Sequence, residues 1–308
     1  MGDLRLAHIL LVHKNPEQVN AFVRQIAGDG GADVYIHVDA KCHEAMVRAI
    51  VSGGSVSVLK ERVQVTWGDF NVIEATLRLL RAVRASGKAY DFISLNSGQD
   101  LLVRDGLREY LAANRNRVFM SARRIGPGDP QNSAWKIRWP RVTRNLYDSP
   151  FHPYRLLRAG LVRLYTFGLN LRPNPLALPE GWNFYCDAQW LCMPGVTADY
   201  ILDYVGQNPD YCRLFQDSLA PDEFFFTTLI MNSPYAAQVT GSHLTHLNFG
   251  RTLRDKNHPV VITTEDIPTI EDSGRFFARK FDQAVDEEAI RYFSDRYGNQ
   301  NPEPNSAR

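Results

Sequence analysis

Three groups of residues in this sequence have the types and spacing to do chemistry. The first is Asp222-Glu223, two acids directly ahead of Phe224, Phe225 and Phe226. Aromatic surroundings penalise a charged carboxylate and raise its pKa, which suits a general base that takes a proton from an alcohol. The same acids would also sit well at the positive end of a helix dipole. Of the two, Asp222 fits the capping role and Glu223 the base. The second group is Arg279-Lys280 in RFFARKFD, set among Phe276, Phe277 and Phe281. Cations in such a segment need an anion, either one of the protein's own, such as Asp282, or one belonging to a ligand. The third group follows the apolar runs: His13 and Lys14, then His37, Asp39 and Lys41, then Asn96, Ser97 and Asp100. Trp67, with Gly68 and Asp69, precedes a helical pattern and is either a binding loop or a helix entry.

Other chemistries are excluded or weakly supported. No GxxxxGK[ST] loop, no GxGxxG turn after the first apolar run and no GxSxG elbow occurs. An Asp-x-Asp pair, which would hold a divalent metal on a nucleotide diphosphate, is missing too. His37, Asp39, Cys42 and His43 are metal-capable, as are His243 and His246, but neither spacing matches a zinc signature.

The elements that must position these residues follow from periodicity. AHILLVH (7–13), DVYIHVD (33–39) and YDFISLNSG (90–98) read as buried strands. SVSVLK and VQVTW are further strand candidates. Residues 16–28, HEAMVRAIV and NVIEATLRLLRAVRAS (71–86) carry helical patterns, the first with Pro16 in its opening turn. This alternation predicts a doubly wound, mainly parallel sheet whose strand C-termini meet a ligand. The groups at His13, Asp39 and Ser97 fall at those ends. Further on, DAQWLCMP reads as a strand, TADYILDYVGQ as a helix, DEFFFTTLIMNS as a helix opened by Pro221 and the two acids, and VVITTEDIPTIEDSG as a strand followed by a capped helix. We expect one domain over 1–298, with 1–119 binding nucleotide and 120–298 serving acceptor and catalysis, and a disordered polar tail at 299–308.

Bulk properties narrow the class. The chain has 308 residues, with 35 basic against 34 acidic side chains. That balance leaves no footprint for bulk nucleic-acid binding. Four cysteines without CxxC spacing read as core or free thiols of a reducing compartment. The N-terminal apolar run is too short for a signal peptide, and no stretch is long enough to cross a membrane. The expected location is cytoplasmic. The Arg-, Tyr- and Leu-rich segment from Arg141 to Arg172 is compatible with peripheral docking on the inner face of a membrane, although an ordinary basic helical excursion is the simpler reading. Oligomeric state is not legible.

ILLVHKNPEQV, YIHVDAK, WGDFNVIEATLRLLRA, YDFISLNSGQDLLV, DAQWLCM, PDEFFFTTLIMNSP and FFARKFD occur in one chain in this order. Together they resemble the core-2/I-branching glycosyltransferases, glycosyltransferase family 14, from about residue 7 to 295. FFARKF is most similar to the xylosyltransferase branch. The resemblance implies a GT-A-type Rossmann-like fold with a mixed, mainly parallel sheet. It also implies a UDP-sugar donor, inversion at the anomeric carbon, and no divalent metal or other cofactor. It makes Glu223 the base and Lys280 the diphosphate contact, with Arg279 beside it. Arg254 is the candidate for an upstream basic partner. His13, Lys14, Asp39, Trp67, Ser97, Asp100 and Trp190 would line the nucleotide and donor site.

Two departures stand out, the first being that GRTLRDKNHP offers Arg251, Arg254, Lys256 and His258 for the family's second basic residue without a secure alignment. Where the family strand reads G-S-x-W, this chain has Asp187-Ala188-Gln189-Trp190, and Gln189 replaces an Asp of the xylosyltransferases. The implied partners are a UDP-sugar, with xylose or N-acetylglucosamine favoured, and a glycan or lipid-linked glycan acceptor, in a bacterial-type member that builds surface polysaccharide. Two alternatives are a non-catalytic nucleotide-sugar or glycan-binding protein of the same fold, and a metal-dependent phosphoesterase using His37, Asp39 and His43.

Overall fold

The computed structural model describes residues 4–28, 32–126, 153–169, 171, 174–216, 218–249 and 259–298. Arg254, the tail at 299–308 and the 141–152 part of the Arg-rich segment lie outside them. The first half runs β1 (Leu6–Val12), α1 (Pro16–Ala27), β2 (Ala32–Val38), α2 (Glu44–Ala49), β3 (Val56–Val58), α3 (Asn71–Ala85), β4 (Phe92–Ser97), β5 (Asp100–Leu102), α4 (Leu107–Ala113) and β6 (Arg123–Arg124). The second half adds α5 (Pro153–Thr166), β7 (Tyr185–Cys186), β8 (Cys192–Pro194), α6 (Gly195–Gln207), α7 (Pro209–Gln216), α8 (Phe225–Met231), β9 (Thr245–Leu247), α9 (Ile267–Asp272), β10 (Phe277–Arg279) and α10 (Glu287–Arg296).

The central sheet has the order β3-β2-β1-β4-β8. Its first four strands are parallel, and β8 pairs antiparallel with β4. β1 explains why the apolar run at 6–12 is continuous rather than alternating. Leu6, Leu10 and Val12 face one core with Phe22 and Val23 of α1, while Ala7 and Ile9 face another with Ile73, Leu77 and Leu80 of α3. A strand with helices on both faces must be apolar on both. His8 interrupts one face. It is 2 % exposed, its Nδ1 meets Asn96 Oδ1 at 3.2 Å, and burial lowers its pKa to about 4.

A second sheet, β5-β10-β9, abuts the first. β10 runs antiparallel to β5, with Arg279 opposite Asp100, and parallel to β9. All four cysteines are free thiols. Cys192 is fully enclosed, and burial raises its pKa to about 12.

Three element expectations need correction. VQVTW forms no strand. Its backbone uses side chains instead of a ladder: the Val63 N–H donates to His37 Nε2 at 2.8 Å and the Val65 N–H to Asp39 Oδ1 at 3.3 Å. The acids at 222–223 do not open an α-helix. They lie in a 3-10 turn, Pro221–Glu223, entered through left-handed Ala220, and α8 begins two residues later. Finally, VVITT is extended without forming a strand, although Thr263 and Asp266 do close a capping box ahead of α9.

Candidate active site

The sheet brings the ends of β1, β2 and β4 side by side. The Asp39 N–H donates to Val12 O at 2.8 Å, and the Gly98 N–H to Leu11 O at 3.0 Å. Gly98 has no room for a side chain, because a Cβ would sit 2.7 Å from Val19 Cγ2. The turn after β4 therefore packs directly on α1. Within it, Asp100 is fully buried and accepts from the Ser97 hydroxyl at 2.7 Å and the Ser97 N–H at 2.9 Å.

Arg279 arrives opposite Asp100 through the β5–β10 register. Its Nε lies 3.4 Å from Asp100 Oδ1, and its guanidinium carbon lies 3.6 Å from the Trp190 ring centroid. Burial pushes the Asp100 carboxyl above the usual range, with Arg279 the foremost influence in the other direction. Asp222, on the 3-10 turn, adds a further negative charge near Arg279. The principal anion of Arg279 is thus the protein's own Asp100.

Lys280 is half-buried and differs from its neighbour. Partial burial lowers its pKa first, and repulsion from Arg279 and Lys14 lowers it further, with Asp282 opposing. Lys14 donates to Asp282 at 2.5 Å, and Asn15 donates to the same carboxylate at 3.0 Å. His13 belongs to the same positive field. It is exposed at the strand end yet crowded by protein, and its pKa is lowered by desolvation and then by Lys14. Asp39 is 5 % exposed and accepts the Lys41 N–H at 2.9 Å. The FARKF strand is held to the sheet by glutamines that the sequence reading missed. Gln18 donates to Phe281 O and Gly98 O at 3.1 Å each, and Gln99 donates to Phe281 O at 3.1 Å.

Glu223 is half-buried at the turn, while Phe224, Phe225 and Phe226 point into the core. The aromatics therefore anchor the turn that carries the half-buried Glu223. A backbone link from Gly68 O to the Ala220 N–H, 3.0 Å, brings the Trp67 loop against this turn, with Trp67 61 % exposed. On the other side the Asp187 N–H donates to Glu223 O at 2.9 Å. Asp187 Oδ1 lies 3.0 Å from His243 Nε2, and His243 Nδ1 lies 2.8 Å from Trp190 O. Both ring nitrogens of His243 face oxygen atoms. Burial pulls the Asp187 carboxyl upward, but hydrogen bonds from His243 and the Ala188 N–H hold it below the usual range. A continuous path of contacts thus runs from the Glu223 turn through Asp187, His243 and Trp190 to Arg279 and Asp100. Asp187 and His243 were not among the expected site residues. Sequence reading had treated His243 only as half of a weak metal pair, 56 positions from Asp187. Beside Trp190, Gln189 Oε1 is buried without a hydrogen-bond partner.

The metal alternative loses its donor set. His37 Nε2 is taken by Val63 and Asp39 by backbone amides, and no group of three or more His, Cys, Asp or Glu among the described residues could hold an ion. Of the remaining expected residues, Ser97, Asp100, Trp190 and Arg279 form one contact set. Lys14 and Lys280 form the adjoining cationic edge, and His13 lies beside them with its charged form disfavoured. Arg254 lies outside the described residues.

Comparison with known proteins places the chain. A family model described as "Core-2/I-Branching enzyme" matches residues 6–273. Xylosyltransferase 1 of Canis lupus familiaris is 23 % identical over 310 residues, covering 94 % of this chain and 30 % of that protein. Xylosyltransferase 2 of the same species is 24 % identical, covering 93 % and 33 %. A xylosyltransferase of Ciona intestinalis is 22 % identical over 321 residues, covering 97 % and 35 %. The chain spans about a third of the length of these relatives. With a mainly parallel central sheet of the GT-A-like glycosyltransferase type, and a family match over most of its length, this chain belongs to the core-2/I-branching enzyme family.

Proposed function

We propose that the protein is an inverting, metal-independent glycosyltransferase. It would move a sugar, xylose or N-acetylglucosamine, from a UDP-sugar to a glycan hydroxyl with a β-linkage. The observation that carries this reading is the cationic edge of Lys280 and Lys14, with His13 beside it, tied through Arg279, Trp190 and His243 to the turn bearing Glu223. The family and the names of the relatives support sugar transfer, and the relatives favour xylose. In this reading Glu223 takes the proton of the acceptor hydroxyl. The acceptor oxygen forms the new bond at the anomeric carbon as the bond to the diphosphate oxygen breaks. The electron pair departs with UDP, whose added charge Lys280 stabilises, with Lys14 and Arg279 behind it. The role is synthesis of a surface polysaccharide on the cytoplasmic side, on a glycan or lipid-linked glycan acceptor.

The test is a panel of UDP-sugars assayed for binding, hydrolysis and transfer, with and without EDTA. Activity should survive EDTA; a strict Mn²⁺ requirement would end the metal-free mechanism. Glu223→Gln should retain UDP binding and lose transfer by at least roughly 10²-fold. Near-normal transfer by that variant would remove Glu223 as the base. UDP binding with no turnover of any donor in the wild type would leave the non-catalytic alternative.

A further inference from the structure

Half of the exposed large hydrophobic side chains among the described residues fall in one short span. Leu156, Leu157, Leu164, Phe167, Leu169 and Leu171 all lie on α5 or the residues after it, with Phe167 72 % and Leu171 62 % exposed. The others, such as Val51, Val196 and Val285, are scattered. Isolated exposed apolar residues are ordinary, but a contiguous group marks a contact surface. At 100° per residue, Leu156, Leu157, Leu161 and Leu164 share one arc of α5, and Arg163 falls outside that arc.

Charge identifies the partner. Residues 130–179 contain eight Lys or Arg and one acid, Asp148. The rest of the chain carries 27 basic and 33 acidic side chains. A protein of net charge +1 therefore carries an excess of seven positive charges in the stretch of sequence that contains its exposed apolar helix. From Ser149 to Pro179 there is no Asp or Glu at all. At fourteen residues, α5 is about 21 Å long, too short to cross a bilayer and suited to lie in its interface. No helix among the described residues is long and apolar enough to span a membrane.

We propose that α5 and the segment through Leu171 form a docking surface for an anionic lipid bilayer, with the leucines and Phe167 entering the interface, and Arg163 and the positive charge of this stretch of sequence attracted to the headgroups. A soluble polyanion would use the arginines and leave the leucines in water. A second copy of the chain would oppose two surfaces of the same positive sign. The bilayer satisfies both the apolar and the cationic parts. This inference does not depend on the reaction proposed above.

The test is co-sedimentation of the full chain with phosphatidylcholine vesicles, with and without phosphatidylglycerol. Binding is expected on the anionic vesicles, weak on the neutral ones, and reduced by salt. The double variant Leu156→Ser/Leu157→Ser and the separate variant Phe167→Ser should each lower the partition coefficient by about tenfold or more. Arg163→Glu should weaken binding on anionic vesicles and leave the weak neutral binding alone. These positions are exposed, and unchanged melting temperatures would show that the variants fold. Absence of sedimentation at low salt would overturn the proposal. So would undiminished binding by the leucine and Phe167 variants, which would mean bare electrostatic adsorption. A dimer that forms in wild type and dissolves in those variants, without vesicle binding, would assign the surface to a second copy and overturn it equally.

Discussion

Arg279 and Lys280 are neighbours in sequence and occupy opposite situations. Arg279 is the end of β10, registered against Asp100 and stacked on Trp190, with its side chain 12 % exposed. Lys280 is one residue past the strand, half-buried, and pressed by cations rather than relieved by an anion. On the buried side the guanidinium faces a protein carboxylate and an aromatic ring, while its Nε makes no hydrogen bond. The open side has more positive charge than its own acids balance, and a group in that state gains from an external anion. The contrast teaches that two adjacent cations can divide the work, one building the site and the other serving a ligand.

The sharpest way to break this comparison is Asp100→Ala. It leaves Arg279 enclosed without its principal anion, and the expected cost is about 3–5 kcal/mol of stability, measured by urea unfolding. A loss under about 1 kcal/mol would mean that Arg279 is not structurally committed to Asp100. Lys280→Met is expected to do the reverse. Its stability should hold or rise slightly, since a repelled cation is removed, while UDP-dependent turnover should fall by roughly 10²–10³. If stability fell and turnover held, the two residues would have to exchange roles. UDP affinity should also decline as pH rises, earlier than an ordinary lysine would allow, because the lowered pKa of Lys280 surrenders its charge sooner.

His8 extends the test to the buried side, where Asn96 also receives the Ser94 hydroxyl at 2.9 Å. Its pKa is about 4 in the fold against 6.5 for the free side chain. The unfolded chain therefore binds more protons between those values, and stability falls as pH drops from 6.5 toward 4. The expected span is about 3 kcal/mol. His8→Gln should flatten that part of the curve, and an unchanged slope would point to other groups. The smallest expected effect is His243→Ala, at about 1–3 kcal/mol, from the lost hydrogen bond to Asp187 and the orphaned Trp190 carbonyl. Because this side chain fixes both the Trp190 platform and the Glu223 turn, kcat should fall more than UDP affinity. Equal losses in both would reduce it to a packing residue.

The parallel half of the fold was legible because β1, β2 and β4 are uniformly apolar and α1 and α3 strongly periodic, signals that burial on both faces demands. The positions of His13, Asp39 and Ser97 followed from the same logic, since strand C-termini converge in such a sheet. VQVTW misled because its alternation resembles a strand, while His37 and Asp39 supply the partners that a ladder would otherwise give. The Asp187–His243–Trp190 contacts left no local trace, as they join residues more than fifty positions apart.

The sequence by itself determined the sheet, its family and a set of candidate residues. Those follow from short-range periodicity and from ordered motifs. The tertiary structure decided which anion each cation meets. Arg279 goes to Asp100 because the antiparallel β5–β10 register sets them opposite each other, and Lys280 lies open because the strand has already ended. Charge pairing across a fold depends on register and burial, and neither is written in the spacing of the residues along the chain.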